Sequence, residues 1–130
     1  MKYSINKTDN HCTFKLDEQK LDSTLSADIK SEFLTLQAEG VKNLIFDLSE
    51  VKYTDSSGLS AILVGNRVFT EPNYFILAGV SDHVMKLIKI SQLDKVLNIL
   101  PTVEESIDAV FMHEIEKELG EESEEEDQIL

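Results

Sequence analysis

Two short segments, KNLIFDLS (42–49) and YFILAGV (74–80), are apolar at nearly every central position. A strand with one face in water alternates apolar and polar residues. A run without alternation belongs where both faces of a sheet are covered. Helices provide that cover, so these two segments point to a layered α/β chain with a parallel sheet. The sequence around them agrees. STLSADIKSEFLTLQAEG (23–40) reads as a helix, with Leu25, Ile29, Phe33 and Leu36 at helical spacing. Ser23 or Thr24 is its expected cap and Gly40 its end. A helix is expected after the first apolar strand, running to about Thr70, where Glu71-Pro72-Asn73 breaks the chain. SDHVMKLIKIS (81–91) is a short helix with Val84, Leu87 and Ile88 inward. TVEESIDAVFMHEIEKEL (102–119) closes as a helix with Val103, Ile107, Val110, Phe111 and Ile115 on one side.

Two alternating runs, YSINKTD (3–9) and HCTFKLD (11–17), flank Asp9-Asn10 and read as an initial hairpin. KVLNIL (95–100) reads as a last strand. The expected order is β-β-α-β-α-β-α-β-α: a mixed sheet of about five strands, hairpin plus parallel part, with about four helices. Residues 1–113 form one domain, the closing helix runs on to about 119, and 120–130 form an acidic, disordered tail.

Charge separates the same two parts. The net charge is −13, and residues 114–127 hold nine acids against one lysine. The rest carries 16 acids against 11 bases and is only mildly acidic. Neither part attracts a phosphate backbone or an anionic lipid surface, so nucleic acid is not an expected partner. The tail reads as a solvated end, with a lure for a basic partner as the sharper alternative. One cysteine, Cys12, allows no internal disulfide and fits a reducing compartment. No apolar run spans a membrane, and MKYSINKTDN lacks the apolar core of a secretory signal, so the expected location is the cytoplasm.

The stretch with chemical potential is Thr54-Asp55-Ser56-Ser57-Gly58, between an apolar strand and a helix. Asp55, Ser56 or Ser57 can cap the helix, stabilising it by about 1 kcal/mol. A serine nucleophile elbow needs the same strand-turn-helix setting, and Asp82, His83 and His113 follow in the chain. Yet Thr54 stands where the elbow's first glycine belongs, and no oxyanion segment precedes it. No phosphate-binding loop is present, and His11 and Cys12 lack a second pair at zinc spacing, so no cofactor and no metal is expected. A phosphate-accepting serine fits best. Helix starts tolerate anions, and phosphorylation adds about −1.5 to −2 charges.

At these residues the chain resembles the STAS domain family, above all the bacterial anti-sigma factor antagonists. KLDSTLSADIKSEF is similar to the family's G-x-L-D-x-x-T segment, LIFDLSEVKYTDSSGLSAIL to its strand followed by D-S-[ST]-G-L-G, and LIKISQLDKVLNIL to its later helix, turn and strand. The resemblance covers about residues 3–112 and implies a STAS fold and a regulatory binding role rather than an enzyme. It maps the phosphorylated serine onto Ser56, with Asp22 near it, and implies a partner surface at Asp22, Asp55, Ser57, Gly58, Ser60 and Val64. Ser57 is expected to serve mainly the turn and the cap. The implied partners are an anti-sigma factor that is also a serine kinase, and a metal-dependent serine phosphatase. Ser60 departs from the family's second glycine. Competing readings are a STAS subunit of a transporter or stress-sensing complex, and the serine hydrolase. On the helix after DSSG, Leu59, Ile62 and Leu63 are expected inward, and Ser60, Val64 and Arg67 outward.

Overall fold

In a computed structural model the backbone is described for residues 1–129 and side chains for residues 1–120. The chain runs β1 (Tyr3–Lys7), β2 (Cys12–Leu16), β3 (Lys20–Leu21), α1 (Ser26–Ala38), β4 (Asn43–Asp47), β5 (Tyr53–Thr54), α2 (Ser56–Val68), β6 (Tyr74–Ala78), α3 (Asp82–Ile90), a short 3₁₀ turn (Leu93–Lys95), β7 (Asn98–Leu100) and α4 (Val103–Ile129). The main sheet has five strands in the order β1-β2-β4-β6-β7. Only β1 and β2 pair antiparallel; the remaining pairs are parallel.

The unbroken apolar runs have the cause the sequence suggested. Along β4 and β6, Leu44, Phe46, Phe75 and Leu77 join the core beneath α1, α2 and α3, while Ile45, Ile76 and Ala78 face α4. Successive strand residues point to opposite faces, so a strand buried on both sides cannot alternate. Five phenylalanines fill the larger core; Phe33 on α1 meets Phe14, Phe46, Phe69 and Phe75 edge-on, with ring centres 5.2–6.1 Å apart. Val110, Ile107 and Val103 of α4 cover the other face.

The elements differ from the sequence reading in five places. Residues 95–97 are not strand: Lys95 ends the 3₁₀ turn, and β7 begins at Asn98. Neither Ser23 nor Thr24 caps α1, whose first turn follows Leu25 without a side-chain cap. Thr24 instead binds back to Asp22. Phe111 and Ile115 do not share the inward face of α4: Phe111 is 55% exposed and Ile115 half-buried outside the cluster, because Val103, Ile107 and Val110 already fill the contact with the sheet. Two strands of two residues each, β3 and β5, pair parallel beside the main sheet. Pairs that short carry no periodicity to read. The helix α4 continues past Leu119 to Ile129, and the side chains of residues 121–130 lie outside the described ones.

Candidate functional site

The β3–β5 pair sets the geometry of DSSG. Leu21 faces Thr54 in register, and the Thr54 hydroxyl donates to the Leu21 carbonyl at 2.7 Å. Both residues are buried. One residue beyond each strand come Asp22 and Asp55, the latter just before α2.

Each residue of the motif then has its own task. Asp55 is the N-cap of α2: its backbone is extended, and its Oδ1 accepts the Gly58 N–H at 3.0 Å. Gly58 lies against the β3–β5 pair so closely that a Cβ would stand 2.0 Å from Thr54 Oγ1 and 2.3 Å from the Leu21 carbonyl oxygen. The glycine is there for close approach. Ser56, the first helical residue, is exposed, and Ser57 is half-buried. Among the described residues neither serine side chain takes part in a hydrogen bond, so the cap belongs to Asp55 rather than to Ser57. Asp22 accepts from the Thr24 hydroxyl at 2.6 Å and the Thr24 N–H at 3.0 Å. Those bonds, the hydroxyl first, hold its carboxyl below the ordinary carboxylate value.

Along α2 the deepest face is made of Gly58, Ala61, Ile62 and Gly65, with Leu59 and Leu63 half-buried at its margins. Gly65 sits where a Cβ would touch the rings of Phe75 and Phe33 at 2.5 and 2.8 Å. The small residues bring α2 onto the aromatic core, and the larger leucines are displaced from its centre. Arg67 is exposed as expected, whereas Ser60 and Val64 are half-buried. Beside the motif, Tyr53 of β5 is 43% exposed and stacks on His83 of α3 with ring centres 5.6 Å apart. The sequence offered no sign of that pair, since the two residues lie thirty positions apart with no shared motif.

The other groups singled out in the sequence lie elsewhere. His113 of α4 stacks on Tyr74 and bonds the Pro72 carbonyl at 2.8 Å, on the sheet face opposite α2. His11 binds Thr8 in the hairpin turn, and burial lowers its pKa. Cys12 is buried, and burial pushes its thiol up. Among the described residues no cluster of three His, Cys, Asp or Glu side chains is placed to hold a metal ion, and no helix is long and apolar enough to cross a membrane.

The fold is a mixed sheet covered on both faces by helices, with a serine-bearing start to α2, and comparison with known proteins gives its class. The model of the STAS domain family matches residues 2–106. The chain belongs to the STAS domain family. Its fold is similar to that of an anti-sigma factor antagonist from Mycobacterium paratuberculosis, at 18% identity and TM-score 0.76 over 84% of this chain and 92% of that one. It is similar to the Bacillus cell fate determinant SpoIIAA in its phosphorylated form, at 24% identity and TM-score 0.65 over 84% and 99% of the two chains. It is also similar to a sulfate transporter family protein from Wolinella succinogenes, at 13% identity and TM-score 0.68 over 78% and 84%.

Proposed function

We propose that this chain is an anti-sigma factor antagonist whose binding is switched by phosphorylation of Ser56. The observation that carries the proposal is the division of labour in DSSG. Asp55 supplies the cap and Gly58 the close contact, while the exposed Ser56 hydroxyl takes part in no side-chain hydrogen bond. A kinase can therefore modify it without taking a bond from the fold. SpoIIAA, a structural relative, exists in a phosphorylated form, which supports the same reading.

The mechanism follows from charge. Unmodified Ser56 presents a neutral hydroxyl at the start of α2, the helix that also carries Ser57, Ser60 and Val64 and is capped by Asp55, with Asp22 one residue beyond the paired strand β3. An anti-sigma factor that is also a serine kinase docks there, and the sigma factor is released for transcription. Transfer of the ATP γ-phosphoryl group to Ser56 Oγ releases ADP and leaves a dianion at the interface. That dianion must be desolvated or must face like charge, and the complex dissociates. A serine phosphatase restores the hydroxyl. In this reading the chain has no catalytic group of its own and works in the cytoplasm with its kinase.

A second reading rests on the likeness to the sulfate transporter family protein: a STAS subunit of a larger assembly, without a phosphoswitch. Calorimetric binding to the kinase co-purified from the native host, with and without ATP, separates the two. ATP is expected to release the wild type and Ser57→Ala, while Ser56→Ala stays bound and Ser56→Asp binds weakly though folded. Release that persists in Ser56→Ala and vanishes in Ser57→Ala would move the site to Ser57. A wild type indifferent to ATP with that kinase in hand would favour the constitutive subunit.

A further inference from the structure

The outer face of α4 carries a second feature. Phe111, Met112 and Leu119 are 55%, 53% and 56% exposed. Together with half-buried Ile115 they fall at positions three, four and seven or eight apart, which is one stripe of a helix. The opposite stripe, Val103, Ile107 and Val110, is already used against the sheet. Scattered apolar residues are ordinary on a surface, but a contiguous stripe of large ones is a contact site.

Charge selects what covers it. Glu104, Glu105, Asp108, Glu116 and Glu118 are all exposed along the outer side of α4. Lys117, the one lysine between 103 and 120, is turned to Glu114 at 3.3 Å. The sequence beyond is EESEEED. A second copy of this chain would bring acids against acids, and an anionic membrane would meet the same repulsion. We infer that the outer stripe of α4 is a docking site for a basic amphipathic helix of a partner protein, its apolar face on Phe111, Ile115 and Leu119 and its lysines or arginines on the flanking glutamates. This is the helix-on-groove mode of recognition, with apolar anchors for affinity and rim charge for choice of partner. The stripe lies across the sheet from α2, so it leaves the Ser56 face open and serves a different partner contact.

The test uses the full chain and a synthetic helical peptide of leucine and lysine at helical spacing, with a leucine–glutamate peptide of the same pattern as its control. The basic peptide is expected to bind, to weaken as salt rises, and to shift backbone amide resonances of residues 108–119 but not of 56–67. The acidic peptide is expected not to bind. The double variant Phe111→Ser/Leu119→Ser, at exposed positions, is expected to keep its thermal midpoint and to lose about tenfold or more in affinity. Equal binding of both peptides, unchanged affinity in the double variant, or shifts centred on α2 would overturn the inference. A dimer in sedimentation that the double variant abolishes would overturn it in favour of a second copy, and stripe-dependent binding to lipid vesicles would overturn it in favour of a membrane. Because the readout is on α4, none of these outcomes depends on whether Ser56 is a phosphorylation site.

Discussion

Gly58→Ala is the sharpest perturbation of the candidate site. Alanine is the better helix former, and in an open helix the change stabilises by up to about 1 kcal/mol. Here the added Cβ would stand 2.0 Å from Thr54 Oγ1, 2.3 Å from the Leu21 carbonyl oxygen and 2.9 Å from Leu21 Cγ. Comfortable contacts need about 3.5 Å, so the start of α2 must retreat by about 1 Å or the β3–β5 pair must open. Two of the three obstacles are the ends of the buried Thr54–Leu21 hydrogen bond, so neither can move alone. Overpacking costs about 1–3 kcal/mol and leaving that bond unmade about 1–3 more. Less the propensity gain, the net loss is about 1–5 kcal/mol. For a chain of this size that lowers the thermal midpoint by roughly 3–20 °C. Urea and thermal unfolding followed by circular dichroism would measure it, with Gly120→Ala as control, since nothing lies within 4 Å of the Cβ built there. The double variant Thr54→Ala/Gly58→Ala is expected to lose less than the sum of its parts, because Thr54 Oγ1 is shared. A Gly58→Ala midpoint within about 2 °C of wild type would refute the close-approach argument.

Asp55→Ala is expected to cost about 1 kcal/mol as a lost cap, and Ser57→Ala under about 0.5 kcal/mol; urea midpoints that rank them in reverse would return the cap to Ser57. Val64 is half-buried and outside the core cluster, so Val64→Glu is expected to leave folding intact and weaken kinase binding; a variant that fails to fold would place that side chain in the core. The pKa of His11 is lowered by burial, so its contribution is complete above the ordinary imidazole value and is lost as pH falls towards the folded one. The carboxyl of Glu114 is lowered chiefly by the Asn43 amide donating to it, so its contribution holds above the unfolded carboxylate value and is lost as pH falls through the folded one. Urea unfolding at a series of pH values is expected to show this acid loss in two stages, with Glu114→Gln flattening the lower stage; an unchanged lower stage would remove Glu114 from the account. A chain ending at Leu119 is expected to keep its thermal midpoint within a few degrees, since Val103, Ile107 and Val110 already make the sheet contact; a large fall would show that residues 120–130 support the domain.

The main sheet was legible because its signal is dense. The doubly buried strands 43–47 and 74–78 cannot alternate, and the helices between them repeat their apolar residues at helical spacing. The candidate site was legible only as a motif. DSSG marked a helix start and a candidate phosphate-accepting serine, but the tasks of its other residues depend on β3 and β5, which are too short to announce themselves. The face of α2 was misjudged at its centre for a related reason. Hydrophobic spacing ranks Leu59 and Leu63 above glycine, whereas the closest packing is at Gly58 and Gly65, where the absence of a side chain is the contact. Phe111 fits the apolar period of α4 as well as Val110 does, and no local rule says which stripe the sheet will take.

The arrangement of α2 also bears on how a switch can act without unfolding its own domain. A phosphate on the first residue of a helix sits where backbone N–H groups favour negative charge, so the helix itself tolerates it. Its repulsion falls instead on the neighbouring Asp55, whose carboxylate is fixed by its bond to the Gly58 N–H. That carboxylate cannot turn away without giving up the bond. Gly58 seats the helix start on a buried hydrogen bond, which resists displacement as a whole. Under the proposed function the new charge is therefore not absorbed by a rearrangement inside the domain, and its cost appears at the surface the partner must cover. The expectation is specific: amide resonances of the phosphorylated chain should shift near residues 22–24 and 53–60 and hardly at all in β4 and β6. Shifts spread through the sheet would mean that the domain itself changes conformation, and the switch would then be allosteric rather than a change of surface charge.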